Sequence, residues 1–157
     1  MAFTLGIDVK TYRYESGAAA VSGVSPADWP LVGNIKDENL GKSAATSDVS
    51  TRSAGGWRQL VATLREMTAT FQIVFDPTDP DYIAFDEAYF TNGVIPMRFF
   101  DSKGEVSDTP IGFEADFMVT NFTENRQLEE AVMIDVELTI ARGSTTPTRY
   151  DGTTAIT

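Results

Sequence analysis

Cysteine and histidine are both absent from the 157-residue chain. Without cysteine there is no disulfide, no thiol nucleophile and no zinc–thiolate site. Without histidine the usual general base, the commonest metal ligand and the physiological-pH switch are missing too. No apolar run approaches the roughly 20 residues that cross a bilayer as a helix. Met1-Ala2-Phe3-Thr4-Leu5 lacks the basic start and long apolar stretch of a secretory leader, so assembly in a cytoplasm is expected. Cations are scarce: 12 Lys and Arg stand against 23 Asp and Glu, a net charge of −11. That balance disfavours tight binding to a phosphate backbone, which needs clustered cations. It leaves room for a surface that nucleic acid slides past. No P-loop, no helix-opening GxGxxG and no GxSxG occurs, and Asn121-Phe122-Thr123 is uninformative as a glycosylation pattern without a leader. The expectation is a protein that is not an enzyme and that uses no cofactor or metal.

What is present suffices for one domain with a real core: hydrophobic residues make up 42% of the chain. Met67, Ala69, Phe71, Ile73 and Phe75 alternate with polar residues, the period of a half-buried strand. Asp76-Pro77-Thr78-Asp79-Pro80 stops that strand. Asp79 can cap the next turn, and Pro80 suits the first helical position. Tyr82, Phe85 and Tyr89, with Ile83 and Phe90, then form an apolar stripe at helical spacing, and Asn92-Gly93 closes it, giving a helix over 79–92. Val94 to Phe100 is strand-like again, with Ile95, Met97 and Phe99 on one face. Such a helix must cover a sheet, so the expected fold is mainly β, a sandwich or barrel of antiparallel strands flanked by one helix.

The rest of the chain fills in that layout. A first strand is expected over Thr4 to Tyr14, with a bulge or bend near Lys10–Thr11. Ser16 to Asp28 reads as a loop. Trp29 to Leu40 reads as a second strand ending in a turn at Lys36-Asp37-Glu38-Asn39-Leu40-Gly41. Lys42 to Arg52 has strand-compatible residues but almost nothing large and apolar to bury. It is either a solvated loop or a protruding hairpin that orders against a neighbouring subunit. Trp57, Leu60, Val61 and Leu64 have helical spacing, predicting a turn or short helix over Gly56 to Glu66. Asp101-Ser102-Lys103-Gly104 reads as a turn, followed by a polar connection. Two alternating runs, Ile111 to Val119 and Val132 to Ile140, predict a long antiparallel pair. Residues 1–142 then form a single domain and 143–157 a C-terminal tail or arm.

Carboxylates are the only candidates for acid–base chemistry. A turn centred on Asn125 and Arg126 would set Asp116 opposite Asp135 and Glu114 opposite Glu137, an unfavourable pairing that a two-residue shift relieves. This acidic face has three readings: a solvated outer surface, a glycosidase pair, or a lining that repels a polyanion so that DNA passes without sticking. The glycosidase lacks the cleft that would shield one acid.

The ordered segments resemble the tail tube proteins of long-tailed bacteriophages, the non-contractile, siphovirus-like ones above all. The resembling parts are Gly6-Ile7-Asp8 with Tyr12-Arg13-Tyr14, Val49-Ser50-Thr51-Arg52 to Gly56-Trp57, Phe71 to Asp79, Ala88 to Pro96, Val119-Thr120-Asn121-Phe122, and Leu128-Glu129-Glu130-Ala131-Val132. The resemblance implies a structural virion protein: homohexameric rings stack into a tail tube that first encloses a tape-measure protein and later conducts DNA. It implies tail-tip or baseplate and tail terminator proteins as further partners, and a place in the virion tail after assembly in the host cytoplasm. It also implies inter-ring contacts by a long hairpin, here 35–52, with Lys36, Asp37, Glu38, Asn39, Leu40, Lys42, Asp48 and Arg52 as candidates. Glu114, Asp116, Asp135 and Glu137 are the candidate lumen-lining acids. Tubes of contractile tails, tailocins and type VI secretion systems share this architecture. A monomeric β-sandwich binding module is the alternative of another class.

Overall fold

The computed structural model describes residues 9–14, 29–101, 111–127, 131–141, 147–151 and 155–156. Its strands are β1 (Lys10–Arg13), β2 (Ile35–Asp48), β3 (Leu60–Val74), β4 (Ile95–Phe100), β5 (Ile111–Asn125), β6 (Met133–Ile140), β7 (Thr148–Asp151) and β8 (Ala155–Ile156). One helix, α1 (Pro80–Thr91), lies between β3 and β4. All pairings are antiparallel, in the order β1-β4-β5-β6-β3-β2, with β7 on β5 and β8 on β7. β5 joins the two halves of the sheet. Gly112 to Phe117 pairs with β4, Ile111 to Glu114 also pairs with β7, and Phe117 to Asn125 pairs with β6. The sheet is not closed into a barrel; its order ends at β2 on one side and at β1 on the other, where Tyr12 is bridged to Leu31.

Both halves contribute to one core. Ala69, Phe71, Ile73, Ile134, Val136 and Leu138 come from β3 and β6. Ile95, Met97, Phe99, Phe113, Ala115 and Phe117 come from β4 and β5. α1 adds Phe85 and Ala88, and Phe85 packs on Phe71 with ring centroids 5.5 Å apart. β4 is buried on both faces, because Phe100 joins a second cluster with Tyr12 and Trp29.

The helix has the expected bounds. The Asp79 carboxylate accepts from the Asp81 amide at 2.9 Å, Pro80 opens the first turn, and Asn92 closes the last at φ 52°. Its buried stripe differs from the expected one: Asp81, Phe85 and Ala88 face inward, while Ile83 and Phe90 are 48% and 75% exposed. Arg13 supplies the reason. Its Nε donates to Asp81 at 2.8 Å, which fixes that side of the helix against β1 and turns Ile83 and Phe90 outward.

Four other expectations are corrected. β3 begins at Leu60, not at Met67, so no helix forms within Gly56 to Glu66. Among the described residues no apolar surface covers Trp57, Leu60 and Leu64, and from Leu60 onward the segment satisfies its backbone against β2 instead. Correspondingly, β2 starts at Ile35 and runs past the expected turn to Asp48. β1 pairs with β4 in unbroken register, without a bulge at Lys10–Thr11; the expected part of that strand before residue 9 lies outside the described residues. The tail expected after residue 142 contributes β7 and β8, and the Tyr150 ring meets Phe100 edge-on. Most of the Asp101–Gly104 turn and its polar connection lie outside the described residues.

Candidate assembly surfaces

β2 and β3 form a hairpin longer than the subunit can cover. From Lys42 to Glu66 every residue whose side chain is described is exposed. Register shifts interrupt its ladder between Lys36 and Asn39 and between Ala44 and Thr46. The first carries Asp37 at φ 54°. A 3-10 turn at Arg52–Ala54 and left-handed Gly55 and Gly56 (φ 63° and 85°) fold the tip. Asp48 ties the tip back: it accepts from the Ser50 amide at 2.9 Å and from Arg58 at 3.0 Å, and these contacts, Ser50 foremost, hold its carboxyl below the usual range. Around this tip Trp57 is 81% and Leu64 80% exposed, with Val49, Leu60 and Val61 about half exposed. Apolar side chains exposed together on one element make it a candidate interaction surface.

The candidate hairpin residues divide accordingly. Lys36, Asp37, Glu38, Asn39 and Leu40 belong to the base, where β2 still lies on the domain; Leu40 packs against the core and Lys42 lies over the Phe113 ring at 4.8 Å. Glu38 is half-buried and accepts from the Thr11 hydroxyl at 2.5 Å. Burial pushes its carboxyl above the ordinary range; the Thr11 bond opposes this and the nearby Asp101 charge adds to it. Asp48 and Arg52 belong to the protruding part. Its apolar members, Trp57, Leu60, Val61 and Leu64, were missed as surface residues because their helical spacing suggested a buried face. The near absence of large apolar residues from Lys42 to Arg52, the segment that has to pair with them, was the available signal.

The four candidate acids also separate. Glu114 and Asp116 are 5% and 2% exposed, so neither presents charge on the surface of the subunit. Glu114 sits opposite Arg98 and accepts from its Nε at 2.7 Å and from the Tyr150 hydroxyl at 3.0 Å. Arg98 in turn stacks on Trp29 at 3.9 Å. Burial, then the Glu114 charge, pushes the Tyr150 hydroxyl above its ordinary value. The expected like-charge pairing does not form. β5 runs to Asn125, so the turn to β6 comes later, and a shift between Val119 and Asn121 resets the face. Asp135 therefore lies opposite Thr123 and Glu137 opposite Asn121. These two acids occupy the polar face of β3 and β6 in a shallow groove of about 310 Å³ with Asp37, Thr70, Gln72 and Asn121. Asp135 is held there by Gln72 at 2.7 Å and by Asn125. Among the described residues no cluster of acids has the arrangement of a metal site.

No protein-family model matches the sequence, and no curated protein matches it. Solved structures do. A chain from the tail of the empty gene transfer agent particle, computed with C6 symmetry, superposes with a TM-score of 0.70 at 20% identity, over 94% of this chain and 98% of its own. A chain of the SPP1 tail tube, determined by solid-state NMR and cryo-EM, superposes with a TM-score of 0.67 at 15% identity, over 87% of this chain and 74% of its own. A chain of the 6-fold symmetrised anti-feeding prophage baseplate gives 0.54 at 9% identity, over 94% and 90%. The chain thus carries the tail tube fold of phage-like particles.

Proposed function

We propose that this chain is the repeating subunit of a phage-type tail tube, with six copies to a ring and rings stacked into a hollow conduit. The uncovered hairpin, together with the fold, carries this reading. A ladder of more than a dozen residues that buries nothing in its own subunit needs a partner surface, and a second copy is always at hand in a closed ring or stack. Pairing the edge of β2 with a neighbour would also remove the aggregation hazard of an open strand. The role is then mechanical: the tube encloses a tape-measure protein first, conducts DNA later, and meets tail-tip and terminator proteins at its ends in the virion tail.

Asp135 and Glu137 fit a lumen lining, since they stay on an accessible polar face and repel phosphate without binding it. Reversing both to Lys slows DNA ejection from intact tails if that face is the lumen; an unchanged rate removes it from the lumen. Tube formation is tested by negative-stain electron microscopy of the purified protein. Rings or tubes with a stain-filled hole are expected, and replacing 44–63 by a two-residue turn leaves a folded monomer. A native protein that remains monomeric across concentration and salt, even with isolated tail-tip complexes added, overturns the reading.

A further inference from the structure

We propose that the hairpin of one copy docks on the groove between α1 and β4 of a second copy, with Trp57 seated in the groove and Arg58 paired with Glu87. This rests on the tube reading and names the receptor that the reading leaves open. Charge supplies the first argument. Residues 42–66 carry Lys42, Arg52, Arg58 and Arg65 against Asp48 and Glu66, a net +2 that leaves −13 on the rest of a −11 chain. The hairpin is therefore the cationic protrusion of an acidic protein. Its complement has to be both acidic and apolar, because Trp57, Leu60, Val61 and Leu64 travel with the arginines.

The α1 side of the subunit meets both conditions. Residues 67–97 hold five carboxylates and no Lys or Arg; with Asp81 taken up by Arg13, Asp76, Asp79, Asp86 and Glu87 remain, and Glu87 lines the groove. On their outer side Ile83 is 48%, Phe90 75% and Val94 42% exposed, although the subunit has no use for apolar groups there. Beside them an open groove of about 390 Å³ runs between helix and strand, lined by Ala84, Glu87, Ala88, Thr91, Val94 and Pro96. Arg13, which also borders it, is neutralised by Asp81 at 2.8 Å. An indole that buries roughly 150–250 Å² suits such a slot, and Trp and Arg are the side chains that most often anchor interfaces. Two other grooves fit less well. The one at Asp135 and Glu137 is polar, and the one between β1 and β2, although it holds Leu31 with Asp37, Glu38 and Asp101, has the cation of Lys10 in its wall.

The test compares Arg58→Glu, Glu87→Arg, the double variant and Trp57→Ala for the concentration at which half the protein sediments as tubes. Both charged residues are exposed: Glu87→Arg leaves the melting temperature of the free subunit at the native value, and Arg58→Glu, which gives up the surface contact with Asp48, lowers it by no more than about 2–4 °C. Each single reversal is expected to raise the half-assembly concentration about tenfold or more, the coupling typical of close interfacial charges. The double variant returns it to within about threefold of native, the shortfall expected of a coupled pair placed in reverse. Trp57→Ala abolishes assembly. If Arg58→Glu and Trp57→Ala block assembly while Glu87→Arg assembles as native, the groove is refuted and the tube reading stands. If the hairpin variants themselves assemble as native, the hairpin's part in the tube fails with it.

Discussion

Glu114 separates a buried role from a lumen role by magnitude. In Glu114→Ala the Arg98 guanidinium, itself 4% exposed, loses the carboxylate at 2.7 Å, and the Tyr150 hydroxyl loses its acceptor. Removing one member of a buried ion pair costs about 3–5 kcal/mol, because the remaining charge is left desolvated. Arg98 keeps its stack on Trp29 at 3.9 Å, which places the cost toward the lower end, near 3 kcal/mol. For a domain of this size each kcal/mol moves the melting temperature by roughly 2–4 °C, so a fall of about 6–12 °C is expected. Thermal unfolding of the free subunit, followed by circular dichroism, reads it directly. The apolar double variant Arg98→Met with Glu114→Leu should recover most of the loss, since no charge is then stranded. A carboxylate facing a water-filled lumen would cost at most about 0.5 kcal/mol on truncation. A Glu114→Ala protein melting within about 2 °C of native therefore refutes the buried-pair account.

Three further outcomes follow from local geometry. A Cβ on Gly112 would lie 1.9 Å from the Phe99 carbonyl oxygen and 2.9 Å from the Phe100 Cα, so Gly112→Ala has to displace the β4 backbone; a loss of about 3 kcal/mol or more is expected in denaturant titration. Asn92 closes α1 in the left-handed region, so Asn92→Ala should cost about 1 kcal/mol while Asn92→Gly stays within about 0.5 kcal/mol of native; equal losses for the two would remove the backbone argument. Glu38 has its folded pKa raised above 4.5 by burial, so the fold holds its proton more tightly than the unfolded chain does. Its favourable contribution is present below 4.5 and is lost as pH rises through the folded value. Glu38→Gln should therefore gain stability relative to native as pH rises from 4 to 7, and a melting-temperature difference that is the same at both pH values contradicts this.

The helix and the β5–β6 pair were legible because each local signal was complete. Asp79, Pro80 and Asn92-Gly93 mark both ends of α1 by backbone chemistry alone, and the alternation of Phe113 to Phe117 and of Ile134 to Leu138 marks two strands with one buried face each. Register was not legible, because alternation fixes a face without fixing a partner, and the shift after Val119 moves the buried parity to Phe122. Glu114 and Asp116 were read as surface acids for the same reason. On a sheet with one wet face they would be exposed, but Trp29 and Tyr150, distant in sequence, close over Arg98 and Glu114 and make that face a second interior. Nothing within β5 announces those partners.

The hairpin shows the opposite failure, and it bears on function. Trp57, Leu60, Val61 and Leu64 are apolar at helical spacing, so read within one chain they ask for a helix against a core. They sit instead at the end of a strand pair, exposed among the described residues. A soluble monomer has no stabilising use for an indole that is 81% exposed at the tip of a cationic protrusion. A subunit whose partner carries exposed Ile83, Phe90 and Val94 in an acidic setting does. Hydrophobic pattern and charge pattern both conflict with the isolated subunit, at two places on the same chain, and docking one place on the other relieves the two conflicts together.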